Sequence, residues 1–213
     1  MARNKYPEIT VNRILDISLK LFLEKGYEKT TIQDIVDNLG DLSKGAIYHH
    51  FKSKEEIIDA VTLRMYQDSN SFDKIKDDRS LNGLQKIKEI FSQSISNKEQ
   101  QKFYRSSPTL MKNPKFLSRQ LNQAVSRYAP LLKEVIEEGM KDGSINATYP
   151  KELSEVVMLL LNIWLNPSVF VVSKEQFIEK INFLKKLFDG MGLPVIDDDI
   201  IEALNDFHDF TLV

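Results

Sequence analysis

Apolar residues recur along this sequence at intervals of three and four, the spacing that places side chains on one face of an α-helix. In the first segment a stripe runs from Val11 through Leu15 to Phe22, and Gly26 follows where a helix needs a left-handed residue to end. The pattern predicts a first helix that ends near Lys25. The same periodicity continues almost everywhere, and glycine and proline number only 8 and 7 in 213 residues. The predicted fold class is all-α.

Three more helices are predicted directly after the first. Thr31 precedes Asp34 by three positions, the spacing of a capping box, and Gly40 ends the short helix that the box opens. Ser43 can cap a third, brief helix through Tyr48. A second capping box in the letters SKEE opens a longer fourth helix. The expected order of helices is long, short, short, long.

Two short helices joined by a tight turn and packed against a longer one form the helix-turn-helix arrangement, whose second helix enters the major groove of DNA. The stretch GYEKTTIQDIVDNLGDLSKGAIYHHFKSKEEI resembles the TetR family of bacterial transcriptional regulators, and the resemblance covers roughly residues 8–62. One departure is Asp41, which is inserted where the turn of the family commonly runs glycine, apolar residue, serine. The family has a pattern in which a small residue is followed by Ile-Tyr-x-x-Phe-x-x-Lys-Glu. This chain matches the pattern at Ala46, Ile47, Tyr48, Phe51, Lys54 and Glu55.

The resemblance implies a set of DNA contacts. Thr31 is expected to bind a phosphate at a helix start, and Lys54 is expected to bind the flanking phosphate. Lys44 suits a phosphate or a guanine edge, and Tyr48 can donate a hydrogen bond to a phosphate. Ile47 is interpreted as core, and Ser43 and Lys44 taken singly are equally compatible with a simple cap and a solvated lysine. The groove-facing residues are Ser43, Lys44, Gly45, Ala46, Tyr48 and His49.

After Met65 the sequence becomes polar and weakly periodic before apolar helices resume. The expected domains are a three-helix helix-turn-helix DNA-binding domain at residues 1–52, a connecting helix at 53–75, and a larger helical ligand-binding and dimerisation domain at 76–213. Within the larger domain, helices are predicted at 84–95, 103–111, 114–140, 150–164 and 174–188.

In the family that this chain resembles, the middle helices enclose a small-molecule pocket and the last two long helices form a four-helix bundle with a second copy. Each candidate for these surfaces is also compatible with ordinary core, and control by a protein partner without a pocket stays an alternative. The candidate ligand-binding residues, which offer aromatic, sulfur, hydroxyl and amide groups, are Phe103, Tyr104, Met111, Phe116, Tyr128, Asn162 and Trp164. The candidate dimer-interface residues, which recur at helical spacing, are Leu160, Trp164, Phe177, Ile181, Leu184 and Phe188.

The charge distribution limits how this chain can recognise DNA. The formal net charge is −2, and residues 1–54 carry nine lysines or arginines against seven acidic residues. Such a balance argues against coating nucleic acid by bulk charge, so recognition has to rely on individually placed contacts. The C-terminal region is acidic, with Asp197, Asp198 and Asp199 in a row, and its role is left open.

Composition also bears on the compartment. The chain has no cysteine, which excludes disulfides and thiolate metal sites and fits a reducing cytoplasm. The N-terminus lacks the apolar core of a signal peptide. The most apolar run, residues 156–172, is interrupted by Asn162, Asn166 and Pro167 and falls short of the roughly 18 clean residues of a membrane span. We expect a buried helix there and a cytoplasmic protein.

Catalytic and metal chemistry finds little support in the motifs. His49 and His50 point about 100° apart on a helix, so they cannot clamp one ion, and no metal or cofactor is expected. A phosphate-cradling glycine loop and a nucleophile elbow are both absent from the sequence. The expected function is a homodimeric DNA-binding transcriptional regulator, a repressor that a small molecule releases from a palindromic operator. An activator or nucleoid-associated regulator without a small ligand, and a helical enzyme that uses the middle-domain cavity, remain alternatives.

Overall fold

The computed structural model describes residues 7–68, 71–107, 110–167 and 169–212, and within these ranges the chain forms helices and no β-strand. The predicted all-α fold class is confirmed. No helix in this part of the chain has the length and apolar character needed to cross a membrane. The helices are α1 (Pro7–Lys25), α2 (Ile32–Leu39), α3 (Lys44–His50), α4 (Lys54–Asp68), α5 (Ser71–Lys76), α6 (Gly83–Ile95), α7 (Lys98–Ser106), α8 (Pro114–Gln123), α9 (Ala129–Asp142), α10 (Pro150–Leu159), α11 (Lys174–Gly190) and α12 (Asp198–Leu212), with a 3₁₀ turn at Leu110–Lys112.

Helices α1 to α4 pack around one apolar core and form a unit that we call the head. Ile14 and Phe22 of α1 and Ile57 of α4 are completely buried in it, because the apolar stripes of these helices face one another. The capping box that opens α2 is present as predicted. The Asp34 N–H donates to Thr31 Oγ1 at 3.1 Å, and the Thr31 N–H donates to the Asp34 carboxylate at 2.7 Å. The expected long, short, short, long order is confirmed.

The head core is completed by residues from much later in the chain. Phe103 of α7, Leu110 in the 3₁₀ turn and Phe116 of α8 belong to the same buried cluster. The two parts approach so closely at Gly26 that a Cβ placed there would lie 2.7 Å from the carbonyl oxygen of Ser106. Gly26 also has a φ of 83°, so both its conformation and its space require glycine. Helices α7 and α8 are therefore anchored to the head.

Helices α6 and α9 to α12 surround a second apolar core, and we call this unit the body. Helices α6 and α9 touch backbone to backbone where Gly83 meets Gly139, since a Cβ on Gly83 would lie 2.3 Å from the Gly139 Cα. Lys86 of α6 is almost fully buried nearby, and its Nζ donates to a carboxylate oxygen of Glu138 at 2.7 Å and to the carbonyl oxygen of Lys76 at 2.8 Å. These contacts tie α5, α6 and α9 together.

Four residues predicted to form the dimer interface lie instead in the body core. Phe177, Ile181, Leu184 and Phe188 of α11 are at most 1% exposed within a single chain. The prediction was wrong for these four because their stripe packs inside the body, where the ring of Phe177 lies 4.5 Å from the ring of His208 on α12. A side chain that is buried within one chain cannot contact a second copy.

The acidic run near the C-terminus opens α12, a helix that the sequence pattern did not predict. The Ile200 N–H donates to Asp197 Oδ1 at 3.1 Å, and Asp197 forms an ion pair of 2.8 Å with Lys88 of α6. Asp198 and Asp199 occupy the first turn, where the positive end of the helix dipole favours acidic side chains. The run therefore starts a helix and fixes it to the body.

Two wide, π-helical turns extend neighbouring helices of the body. One spans Ala124–Tyr128 between α8 and α9, and the other spans Leu160–Trp164 after α10. Such turns are rare and frequently lie at functional sites. Both contribute to the lining of one cavity, through Ala124, Tyr128, Leu161 and Asn162.

Candidate functional site

Helix α3 presents most of the residues predicted to face DNA. Lys44 and Tyr48 are exposed and lie four positions apart, so their side chains share one face of the helix. Ser43, Gly45 and His49 are also exposed, and Ala46 is half-buried. The structure thus brings the six groove-facing candidates together at one exposed edge of the head.

The opposite face of α3 anchors it. Ile47 is completely buried and Phe51, which follows the helix, is 8% exposed, and both belong to the head core. At the start of the helix Ser43 Oγ accepts the Ala46 N–H at 3.2 Å. Because core packing and a cap hold the helix, its exposed side chains project from a fixed support.

Thr31 is already engaged by the capping box of α2. Its hydroxyl donates to Asp34 Oδ2 at 2.7 Å, and Asp34 also forms an ion pair of 2.8 Å with Lys25. The hydrogen bonds from Lys25 and Thr31 hold the pKa of Asp34 well below its usual range. A phosphate at this helix start has to compete with the Asp34 carboxylate for the same donors.

Lys54 connects the start of α4 to the loop between α1 and α2. Its Nζ donates to the carbonyl oxygens of Tyr27 at 2.8 Å and Thr30 at 2.9 Å, and it lies 4.2 Å from the centre of the Tyr27 ring. Partial burial lowers the pKa of Lys54, and burial also raises the pKa of Tyr27 to about 12. The Lys54 ammonium group thus points toward the loop between α1 and α2. This placement disagrees with the expected contact between Lys54 and a DNA phosphate.

The inserted turn residue Asp41 has a partner that the sequence analysis missed. Arg13 of α1 binds it with two hydrogen bonds, Nη1 to Oδ2 at 2.9 Å and Nη2 to Oδ1 at 2.6 Å. The hydrogen bond from Arg13 holds the pKa of Asp41 below its usual range. The pair joins α1 to the turn before α3, and since 28 residues separate the partners, no local pattern could have revealed it.

The histidines show no sign of a metal site. The rings of His49 and His50 meet edge to face, with centres 5.2 Å apart, and His208 is buried on α12 beside Phe177. In the ranges that the structure describes, there is no group of three or more histidine or acidic side chains that could hold an ion.

A cavity of about 230 Å³ lies in the body between α6, α7, α8, α12 and the two π-helical turns. Of the candidate ligand-binding residues, Tyr104, Tyr128 and Asn162 line it. The prediction that Phe103 and Phe116 bind the ligand was wrong, because both side chains are buried in the head core. Trp164 packs against the body core outside the cavity, and the side chain of Met111 lies outside the described part of the structure. The other lining residues, which the sequence pattern did not predict, are Phe72, Ile90, Phe91, Ser94, Ile95, Gln100, Gln120, Ala124, Met158, Leu161, Leu165, Asn166, Leu204 and Phe207.

Helix α11 and the chain before it carry a set of exposed aromatic side chains. Phe183 is 55% exposed, and its ring centre lies 5.8 Å from that of the half-buried Trp164. Lys180 Nζ lies 4.5 Å from the ring centres of both Trp164 and Phe170, and it donates to the carbonyl oxygen of Trp164 at 2.8 Å. Val171 beside them is 70% exposed. We call these five residues the α11 patch.

Comparisons with known proteins agree with this architecture. The family described as "Bacterial regulatory proteins, tetR family" matches residues 14–61, and "Tetracyclin repressor-like, C-terminal domain" matches residues 93–187. The transcriptional repressor KstR2 of Rhodococcus jostii is 31% identical over 148 residues, which is 66% of this chain and 70% of that protein. KstR2 of Mycobacterium tuberculosis is 31% identical over 135 residues, 59% of this chain, and the match spans about two thirds of its length, 66%. A transcriptional regulator from Cytophaga hutchinsonii shares the fold, with a TM-score of 0.60 at 15% identity over 95% of this chain and 94% of that one.

Proposed function

The chain belongs to the tetR family of bacterial regulatory proteins, and from that premise we propose that it is a transcriptional repressor that binds a palindromic operator as a homodimer in the cytoplasm. The family and the relatives are regulators, as predicted, and not enzymes. The observation that supports the proposal most directly is α3, which exposes Lys44 and Tyr48 on one face and buries Ile47 on the other. A recognition helix that enters the major groove has the same arrangement, with one face exposed to DNA and the other packed on the domain core.

The chemistry of the exposed face fits a duplex. Lys44 can bind a phosphate or the O6 and N7 atoms of guanine, and the hydroxyl of Tyr48 can donate to a phosphate. Gly45 between them carries no side chain, so the helix can lie close to the bases. Because the whole chain has a net charge of −2, these few placed contacts have to supply most of the attraction.

Lys44→Ala and Tyr48→Ala are each expected to weaken operator binding by about 1 to 3 kcal/mol, because each removes a contact to DNA. Both side chains are exposed and neither belongs to the head core, so the melting temperature should change little. Fluorescence anisotropy on the operator measures the first effect, and circular dichroism measures the second.

A matched control for these variants is Lys141→Ala, which removes an exposed lysine from α9 in the body. It should bind the operator as the wild type does. If all three alanine variants kept the affinity of the wild type, α3 would not be the helix that reads DNA.

Dimer formation is assigned to the α11 patch. It places Trp164, Phe170, Val171 and Phe183 at the surface of one chain, where burial against a second copy would remove their apolar area from water. Two heads related by a two-fold axis present two recognition helices about one DNA turn apart, which matches a palindromic operator. The predicted contributions of Leu160 and Trp164 stay part of this proposal, since both are only half-buried in the single chain.

The cavity is proposed as the effector site, and α7 connects it to the head. Phe103 of this helix is buried in the head core, whereas the next residue, Tyr104, lines the cavity. A ligand that displaces Tyr104 therefore shifts a helix that is packed against the head.

Helix α8 makes a second connection of the same kind. Phe116 packs in the head core, Gln120 lines the cavity, and the guanidinium of Arg119 between them binds the carboxylate of Asp59 on α4. An effector can release the operator only if it binds one arrangement of these helices better than the other. The shared helices α7 and α8 are the elements on which such a difference in affinity would act.

A further inference from the structure

We propose that the cavity selects a compact ligand that carries no net charge and that offers both hydrogen-bond donors and acceptors. The inference rests on the proposed function for its biological role, but it concerns the chemistry of the cavity alone. Among the described residues that line the cavity there is no aspartate, glutamate, lysine, arginine or histidine. An ionised ligand would leave water without gaining a countercharge, and that transfer is costly in an apolar site.

Three arginines are adjacent in sequence to lining residues, Arg105, Arg119 and Arg127, and one of them, Arg119, is held by an ion pair with the head. Arg119 precedes the lining residue Gln120, but its guanidinium binds Asp59 on α4. Drawing this group into the cavity would break an ion pair that joins α8 to the head. An anionic ligand therefore finds no ready partner in Arg119.

The polar side chains of the lining are uncharged amides and hydroxyls, and such groups suit neutral partners. The Asn162 side-chain nitrogen donates to the Met158 carbonyl oxygen at 2.9 Å, which leaves the Asn162 amide oxygen as an acceptor for a ligand. The side-chain amides of Gln100 and Gln120 line the cavity without a hydrogen bond to another side chain or backbone group in the described ranges. Each amide carries both a donor and an acceptor. Together they complement an amide, an alcohol or a carbonyl group.

The volume of the cavity fits a small molecule. An apolar cavity of about 150 Å³ in another protein holds one benzene, which has six heavy atoms. The cavity here, about 230 Å³, scales to about nine heavy atoms at the same filling. Its aromatic walls, formed in part by Phe91, Tyr104 and Phe207, favour a flat or aliphatic body with one polar end.

The test compares probes of nearly equal size and shape that differ in charge and in the N–H donors that only the amide carries. The purified protein is titrated by isothermal calorimetry with phenylacetamide against phenylacetate, and with octanamide against octanoate, each about ten heavy atoms in size. We expect at least one amide to bind at least tenfold more tightly than its carboxylate. Equal or tighter binding of the carboxylates would overturn the proposal, and so would failure of both amides to bind at millimolar concentrations.

Two variants locate the binding and test the charge argument. Gln120→Arg adds a cation to the lining at a half-buried position, so it should reverse the preference and admit the carboxylate. Leu161→Trp fills the cavity and should abolish binding of the amide, whereas Lys141→Ala in the body should leave it unchanged. If Gln120→Arg folds but keeps the preference for the amide, the ligand lies elsewhere and the proposal fails.

An operator-binding assay with the same probes separates this inference from the proposed function. If an amide binds in the cavity but leaves operator affinity unchanged, effector-controlled repression fails while the ligand class stands. If a carboxylate binds the wild type more tightly and releases the operator, the ligand class fails while effector-controlled repression stands.

Discussion

Replacing Leu184 with glutamate is expected to unfold the protein, whereas replacing its neighbour Phe183 with glutamate is expected to give a folded monomer. The two residues are adjacent on α11 but face opposite environments. Leu184 is 0% exposed in the body core, and Phe183 is 55% exposed in the α11 patch. The same substitution therefore tests burial at one position and dimer contact at the next.

The expected loss at Leu184 is large compared with the stability of a domain. The substitution removes buried apolar area and places a carboxyl group among apolar side chains without a partner. Large-to-small changes in a core alone cost about 2 to 5 kcal/mol, and a buried polar group adds to that. Because domains are stable by only about 5 to 15 kcal/mol, Leu184→Glu should lose most of its helical signal at 37 °C.

Phe183→Glu should leave the single chain intact, since its side chain contributes little to either core. In a two-fold dimer it would place two carboxylates close together in an apolar interface, which opposes association. We expect a monomer by sedimentation, with unchanged circular dichroism and operator affinity reduced by at least a hundredfold, because one head replaces two.

Two outcomes would contradict this reading of α11. A folded Leu184→Glu protein would mean that the residue does not lie in the core of the chain. A Phe183→Glu protein that stays dimeric, or a monomer that binds the operator with full affinity, would mean that the α11 patch is not the interface or that pairing is not needed. Glu179→Gln, an exposed change one turn before Phe183, serves as the control and should stay dimeric.

Lys54→Met is expected to destabilise the protein by about 3 kcal/mol, because hydrogen bonds from a charged donor contribute about 1.5 to 3 kcal/mol each. The substitution leaves the carbonyl oxygens of Tyr27 and Thr30 without their donor while it keeps most of the apolar stem. The loop between α1 and α2 then loses its anchor, so operator binding should fall as well. Chemical denaturation measures the first effect.

The salt dependence of binding separates this structural role from a phosphate contact. Loss of one phosphate contact lowers the magnitude of the slope of log K against log salt by about 0.9 on B-form DNA. With Lys54 inside the head, Lys54→Met should weaken binding while the slope stays the same. Lys52→Met, at an exposed lysine two positions earlier, is the control for stability. A Lys54→Met protein with unchanged stability and a shallower slope would restore the phosphate contact that the sequence suggested.

The local structure of the head can be predicted from the amino-acid sequence alone. Caps and apolar spacing are interactions between residues three and four positions apart, so they can be read without knowing the rest of the fold. Thr31 and Ser43 cap the helices that they were expected to cap, and Ile47 is buried as expected. The family resemblance at α2 to α4 rests on the same local residues.

The apolar stripe of α11 is also evident from the sequence, but what the stripe packs against depends on helices that are distant in the chain. Periodicity defines a face and not its partner, so the stripe alone suggests a dimer interface at Leu184, although this residue lies in the body core. Phe183, one position along the helix, is the residue that stays exposed. Tyr104 lines the cavity and Phe103 does not, because Phe103 is completely buried in the head core whereas Tyr104 packs only partly against that core.

The partners of polar side chains likewise depend on residues that are distant in the chain. Lys54 and Asp41 both looked like features of the DNA-facing surface, yet Lys54 binds the loop after α1 and Asp41 binds Arg13 of α1. These partners are 24 to 28 residues away in the chain, and a long flexible side chain can reach several alternatives on a surface. Local spacing fixes which residues form a helix and which face is apolar. Packing of distant helices decides which side chains are left to bind DNA, a ligand or a second copy.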